Sequence, residues 1–175
     1  MRIFTAVPLP QDVKDKFTQI SRGRLPVPYV STTNFHITLN FLGELDTDQV
    51  KAVKDFWKQL PSYPKMDIEF DKLIIFNRQI HMTLKDNPAL IKIQEDLKNE
   101  FMKMGYKPTF EKYYAHVKIS NLHMDKVMYK DRKVENFPNE ELKNLSFTAD
   151  RIVLFESKLL LHHLHHIELD EHRLI

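Results

Sequence analysis

The chain has 175 residues, of which 42% are hydrophobic and 29% charged, and its formal net charge is +2. This length and composition suit an ordinary folded protein with one domain over residues 1–175, made of two interleaved lobes. The absence of cysteine excludes disulfides, zinc–thiolate sites and cysteine nucleophiles. The three glycines are too widely spaced for a phosphate-cradling glycine loop. Apolar runs are only strand-sized and the amino terminus lacks a signal-peptide core, so we expect a cytoplasmic protein with no membrane partner.

The first half of the chain alternates strand and helix patterns. In chain order, the predicted elements are a strand over 2–8, a helix over 10–20, a loop over 21–34, a strand over 35–42, a helix capped at Asp46 and Thr47, and alternating or buried strand residues over 66–70 and 73–76.

The second half repeats this order. The predicted elements are a strand over 79–85, a helix from Asn87-Pro88 to Gly105, a strand over 113–122, a polar segment with helical character over 124–143, and strands over about 150–158 and 163–170. Strand, helix and histidine-bearing strand thus occur twice at near-equal spacing, which indicates an internal pseudo-repeat. This order favours an α+β fold in which two pseudo-symmetric lobes of mainly antiparallel β-sheet, with flanking helices, surround a central cleft.

The first motif that carries chemistry is His36-Ile37-Thr38-Leu39. On a strand, His36 and Thr38 share one face while Ile37 and Leu39 enter the core. An imidazole beside a hydroxyl suits binding and protonating a phosphate oxygen. A lone H-x-T pattern is more often a strand with two half-buried polar residues, so the surrounding sequence decides.

That surrounding sequence is specific. The run NFHITLNFLGE over 34–44 closely resembles the first signature of the LigT-like group of two-histidine (2H) phosphoesterases, in which a strand HxT leads into FLGE. Residues 1–7 and 152–157 resemble that group's first strand and its late strand ending in serine. The resemblance spans nearly the whole chain. It implies an enzyme that opens 2′,3′-cyclic phosphates on RNA ends, with reverse 2′–5′ RNA ligation in related proteins, using two histidines, no metal and no cofactor.

The family requires a second HxT or HxS, and two segments compete for it. His81-Met82-Thr83 fits by letter, whereas the motif beginning at His116 has lysine in place of the hydroxyl. We choose His116, because its 80-residue separation from His36 is in keeping with the family and it ends the second strand–helix–strand round. His81 would lie on the first strand of that round, in the position of Phe4, as a satisfied strand histidine or a residue flanking the cleft.

Lys118 and Ser120 share the strand face of His116. Lys118 could replace the missing hydroxyl with a charge-assisted hydrogen bond to phosphate, and its charge should lower the pKa of His116. Ser120 is a second source of a hydroxyl. We therefore predict Thr38, Lys118 and Ser120 as substrate-binding residues. The alternative is a decayed half-site in a protein that binds RNA or nucleotide without turnover.

Opening a cyclic phosphodiester needs a base for the attacking water and an acid for the departing ribose oxygen. By family resemblance, His36 is the predicted proton donor at the 3′ oxygen, leaving a 2′-phosphate, and His116 is the general base. The near-symmetry of the two halves leaves these roles reversible. The expected partners are RNA with cyclic phosphate ends or small cyclic nucleotides, and the protein is expected to be a monomer.

Four further histidines flank Leu164 near the carboxyl end. On a strand, His163 and His165 point one way, and His162 and His166 point the other. Because no carboxylate or cysteine pattern completes a known metal site, we predict no metal and a solvated edge strand.

Overall fold

The computed structural model describes residues 1–25, 32–107, 112–121 and 134–175. The strands are β1 (Arg2–Pro8), β2 (His36–Glu44), β3 (Met66–Ile68), β4 (Phe70–Phe76), β5 (Gln79–Leu84), β6 (His116–Asn121), β7 (Phe147–Ala149), β8 (Arg151–Leu160) and β9 (His163–Arg173). The α-helices are α1 (Gln11–Ser21), α2 (Thr47–Trp57) and α3 (Pro88–Lys103). Short 3₁₀ helices cover Thr32–Asn34 and Asn139–Leu145.

The helices begin where their capping residues predict. The Asp46 side chain accepts from the backbone N–H of Gln49, and the Gln49 side chain accepts from the N–H of Asp46, which completes a capping box for α2. Asn87 caps α3, with Pro88 at the first helical position. Each helix buries one apolar stripe in a core shared with the sheet: Val13 and Phe17, then Val50, Val53 and Trp57, then Leu90, Ile93, Leu97 and Phe101. Within the described ranges, no helix is long and apolar enough to cross a membrane.

The main sheet has seven strands in the order β4-β5-β6-β2-β1-β8-β9, and every neighbouring pair is antiparallel. β3 and β7 form a second, two-stranded sheet. The units β1–α1–β2 and β5–α3–β6 lie on either side of the β2–β6 contact, with β1 flanking β2 as β5 flanks β6. The predicted α+β fold with a mainly antiparallel sheet is therefore confirmed.

The two halves meet where Ile37 of β2 faces Val117 of β6, and both side chains are fully buried. Because side chains alternate along a strand, the residues on either side of this pair point to the opposite face of the sheet. Extending the antiparallel register by one residue gives two further facing pairs on that face, Thr38–His116 and His36–Lys118. The fold thus brings the two predicted histidines onto one face at the centre of the sheet.

Three local expectations were wrong. The strand predicted over 113–122 begins only at His116, and the short strand β7 was not predicted. Of the run 73–76, only Leu73 is buried, and Phe76 is 51% exposed because it ends β4 at a hairpin turn outside the core. Residues 124–133, half of the polar segment 124–143, and residues 26–31 of the predicted loop lie outside the described residues. The 3₁₀ helix Asn139–Leu145 covers the end of that polar segment.

Candidate active site

His36 is the first residue of β2, and both of its ring nitrogens have neighbours. Nδ1 donates a hydrogen bond to the backbone carbonyl oxygen of Asn34, 2.6 Å away, which fixes the tautomer with its proton on Nδ1. Nε2 lies 3.0 Å from Oγ1 of Thr38. A neutral His36 therefore accepts a hydrogen bond from the Thr38 hydroxyl, and a protonated ring donates to it.

His116 is the first residue of β6 and repeats this arrangement. Its Nδ1 donates to the backbone carbonyl oxygen of Tyr114, 2.9 Å away. Both histidines thus bind the carbonyl two residues earlier in the chain. In each ring, Nε2 is the nitrogen that remains for proton exchange.

Thr38 is held from the other half of the molecule. The hydroxyl of Tyr113, just before β6, donates to the backbone carbonyl oxygen of Thr38 at 2.8 Å. Burial raises the pKa of Tyr113, so its hydroxyl keeps the proton that it donates. This bond links the strand of His36 to the segment that leads into His116.

His81 stacks on His116, with ring centroids 3.9 Å apart and planes 16° from parallel. Only 3% of His81 is exposed, and its Nε2 lies 2.9 Å from Oε1 of Gln79, which can only accept, so the proton is on Nε2. Its Nδ1 is buried without a hydrogen-bond partner in the described part of the chain. Burial lowers the pKa of His81 to about 4, which makes it a neutral platform for His116 near pH 7.

The expected position of His81 needs one correction. It lies on the first strand of the second round, as predicted, and faces Lys118 across β5–β6. The corresponding residue of β1, which faces Thr38, is Ala6 rather than Phe4. Irregularities in the pairing of both strand pairs shift this register, and such shifts leave no signal in the sequence.

The other side of the site contains a residue that the sequence did not place there. The edge position of β9 was predicted correctly, but His166 is half-buried rather than solvated. Its ring lies 5.0 Å from that of His36 at 87°, and 4.9 Å from that of Phe4. Strand alternation separated His166 from His165, but it gave no indication that one side of β9 meets His36.

Electrostatics favour neutral imidazoles in the ligand-free protein. Burial lowers the pKa of His36 to about 4, and charge on His166 acts in the same direction. Burial also lowers the pKa of His116, and the neighbouring charge of Lys118 adds to this effect. An anion that enters the site would oppose these shifts and favour protonation of one ring.

The remaining predicted residues lie on β6. Lys118 is half-buried, and burial lowers the pKa of its ammonium group. Ser120 is buried, and its hydroxyl donates to the carbonyl oxygen of Asn121 at 3.2 Å. Across the ranges that the structure describes, no three histidine or carboxylate side chains converge as a metal-binding group.

Comparison with known proteins identifies the family of this chain. The family model of the 2′-5′ RNA ligase superfamily matches residues 10–159, and the chain belongs to that family. A Bacillus subtilis protein named RNA 2′,3′-cyclic phosphodiesterase is 25% identical over 169 residues, covering 89% of this chain and 87% of its own. A Thermotoga maritima protein of the same name is 24% identical over 171 residues, covering 91% of this chain and 88% of its own.

Solved structures show the same fold. Apo LigT from Escherichia coli has a TM-score of 0.78 at 17% identity, covering 99% of this chain and 96% of its own. LigT complexed with 3′-AMP has a TM-score of 0.82 at 18% identity, with coverage of 99% and 97%.

Proposed function

We propose that this chain is a single-domain RNA 2′,3′-cyclic phosphodiesterase that uses His36 and His116 as a general acid–base pair. The observation that carries the proposal is the matched pair of imidazoles, one from each half, with equivalent Nδ1 hydrogen bonds on adjacent central strands. Two imidazoles suit this reaction because one can donate a proton while the other accepts one near neutral pH. Family membership and the names of the bacterial relatives support the choice of substrate.

In the proposed reaction, Nε2 of His116 takes a proton from water as the water oxygen bonds to phosphorus. The bond from phosphorus to the 3′ oxygen breaks, and Nε2 of His36 protonates that oxygen. The products are a 2′-phosphomonoester and a 3′-hydroxyl. Because both rings favour the neutral form in the ligand-free protein, the acid takes up its proton together with the anionic cyclic phosphate.

Thr38 and Lys118 are proposed to hold the phosphate oxygens while charge builds on phosphorus. Thr38 already lies 3.0 Å from Nε2 of His36, so its hydroxyl can bridge the ring and a phosphate oxygen. Lys118 lies opposite His36 in the strand register and supplies a charge-assisted donor. Ser120 pairs with the buried core residue Ile80, because the register of β5 and β6 shifts between Ile80 and His81. It therefore lies on the opposite face from Lys118 and is not assigned a phosphate contact.

The same geometry supports ligation of the cyclic phosphate end to a second RNA. If the 5′-hydroxyl of a second RNA replaces water, His116 deprotonates it and the product is a 2′–5′ phosphodiester. In ligation the bond to the 3′ oxygen again breaks and His36 protonates that oxygen. In cleavage of the 2′–5′ bond the two roles exchange, with His36 deprotonating the 3′-hydroxyl and His116 protonating the departing 5′ oxygen.

A cyclic-phosphate-ended oligonucleotide tests the proposal, with 2′- and 3′-phosphate products resolved and EDTA present in a parallel reaction. We expect hydrolysis to the 2′-phosphate at an unchanged rate in EDTA. A 3′-phosphate product would show that the 2′ oxygen leaves instead of the 3′ oxygen, and that the proposed proton donor is wrong. Binding of the oligonucleotide without turnover would identify a catalytically silent RNA-binding protein. Efficient turnover of ADP-ribose cyclic phosphate alone would indicate a small-nucleotide phosphodiesterase.

A further inference from the structure

The His36 ring has five neighbours, and two of them, Phe155 and His166, come from the distant strands β8 and β9. Asn34 and Thr38 hold its two nitrogens from the same segment, and Phe4 of the neighbouring strand lies at 4.9 Å. The Phe155 ring of β8 lies at 6.2 Å, and the His166 ring lies closer, perpendicular to His36 at 5.0 Å. His166 belongs to β9, which is separated from β2 by both β1 and β8.

The β8–β9 hairpin must curl back across the sheet to make this contact. In the strand register, Leu164 lies beyond the Arg2 end of β1, whereas Asn34 precedes His36, which faces Pro8 at the opposite end. These ends are roughly 20 Å apart along an extended strand. Nevertheless, Nδ2 of Asn34 donates to the backbone carbonyl oxygen of Leu164 at 2.7 Å.

Asn34 therefore joins the hairpin to the histidine. Its side chain binds Leu164 of the hairpin, and its backbone carbonyl oxygen accepts the Nδ1 proton of His36. The tether and the ring contact of His166 act on the same imidazole from two directions. Movement of the hairpin away from the sheet would open one wall around His36.

The chemistry of His166 suits a wall rather than a proton carrier. Its Nδ1 is buried and has no hydrogen-bond partner in the described part of the chain. Burial lowers its pKa to about 4, and the charges of Arg2 and His165 act in the same direction. Burial and the charges of His166, His116 and Lys14 likewise oppose a positive charge on His36, while its hydrogen bond to the Asn34 carbonyl favours one.

We propose that His166 is a positioning residue of this site, carried by the β8–β9 hairpin, which closes the wall around His36 and keeps its Nε2 beside Thr38. The proposal rests on the proposed function for its activity readout. The His166 ring stays beside His36 only while the hairpin is docked on the sheet. The hydrogen bond from Asn34 to Leu164 stabilises that docking. The exposed side chain of His165, the next residue along β9, provides a matched control.

The kinetic test compares His166→Ala, His166→Phe, Asn34→Ala and His165→Ala on the cyclic-phosphate oligonucleotide. We expect His166→Ala to lower kcat roughly tenfold with little change in KM, because the ring of His36 loses its orientation. Phenylalanine keeps a flat ring and should restore most of kcat. Asn34→Ala retains the backbone acceptor but loses the tether, and should fall between them. Parental kcat in His166→Ala, or equal losses in His166→Phe and His166→Ala, would overturn the proposal.

A second measurement separates this proposal from the proposed function. NMR titration of the His36 ring needs no turnover, so it applies even if the parent has no activity. In His166→Ala, the His36 pKa should rise toward its ordinary value, because removing the covering ring exposes His36 to water, whereas in His165→Ala it should be unchanged. A His36 titration in His166→Ala identical to that of the parent would show that the His166 ring does not enclose His36, and would overturn the proposal whether or not the protein has activity.

Discussion

Thr38 and His116 face each other across the contact between β2 and β6. The hydroxyl that hydrogen-bonds one imidazole is therefore carried next to the other. The hydrogen bond from Tyr113 to the Thr38 backbone reinforces this link between the halves. A phosphate bound at Thr38 would lie between the proposed acid and the proposed base, which is the arrangement that an in-line displacement requires.

Replacing either proposed proton-transfer residue should abolish most of the activity. We expect His36→Ala and His116→Ala each to lower kcat roughly a hundredfold or more, because each removes one proton-transfer step. His163→Ala, an exposed residue of β9, is the control and should retain parental kcat. Full activity in His116→Ala would show that the second histidine motif was misassigned.

The pH dependence should show the low pKa of His36. The proposed acid must be protonated, and burial lowers the pKa of His36 in the free protein to about 4. We therefore expect kcat/KM to fall as pH rises through the weakly acidic range. The alkaline limb of kcat should lie at higher pH, because the bound phosphate anion favours the protonated ring. A kcat/KM that increases up to pH 8 would contradict His36 as the acid.

Lys118 is the point at which the sequence departs from its family pattern. We expect Lys118→Met to raise KM and to raise the apparent pKa of the acidic limb, because the charge that lowers the pKa of His116 is lost. Lys118→Thr should restore part of the binding through its hydroxyl. A pH–rate profile of Lys118→Met identical to that of the parent would indicate that the lysine does not face the phosphate. Activity that appears only in Lys118→Thr would mean that the parent protein binds its ligand without turnover, because the lysine has replaced a required hydroxyl.

The stack beneath His116 should depend on ring shape rather than charge. His81→Phe keeps an aromatic platform at this buried position and should retain kcat to within a few-fold. His81→Ala removes the platform, and should lower both kcat and stability, by about 2–4 kcal/mol for a large-to-small change in a core. Thermal unfolding and steady-state kinetics of the two variants provide the comparison. Equal kcat in both variants would exclude a role for the stack.

Acid should destabilise the fold partly through the same histidine. The pKa of His81 in the folded protein, about 4, is below the unfolded value of about 6.5, so its neutral form contributes stability that is lost as pH falls between these values. Urea unfolding at pH 7 and pH 5 should therefore show a smaller pH dependence in His81→Phe than in the parent. An equal dependence in both proteins would mean that His81 titrates normally in the folded state.

Much of this arrangement could be predicted from local sequence signals. The helix caps at Asp46 and Asn87 and the buried stripes depend on residues within a few positions of each other. The repeated strand–helix–strand order predicted that the two halves would aim His36 and His116 into one cleft, and in the structure the strands that carry them pair.

The features that could not be predicted depend on long-range geometry. His166 reaches His36 only because a hairpin at the sheet edge curls back, and nothing local to its histidine cluster encodes that path. The register of His81 depends on strand irregularities, and the exposure of Phe76 depends on where the hairpin of β4 and β5 projects from the core. In each case a single strand was identified correctly, while its relation to the rest of the sheet was not.

The order of strands in the sheet also determines when each half can be completed during synthesis. The strands that surround His116, β4 to β6, come from one continuous stretch of chain, so the ribosome delivers them together. β1, beside the strand of His36, pairs with β8 at a sequence separation of about 150 residues, a non-local contact of the kind that slows folding. The half that contains His36 therefore remains open at one edge until the last strands emerge. A chain that stops short of β8 would retain both histidines and still present an unpaired edge of β1, where it is exposed to aggregation.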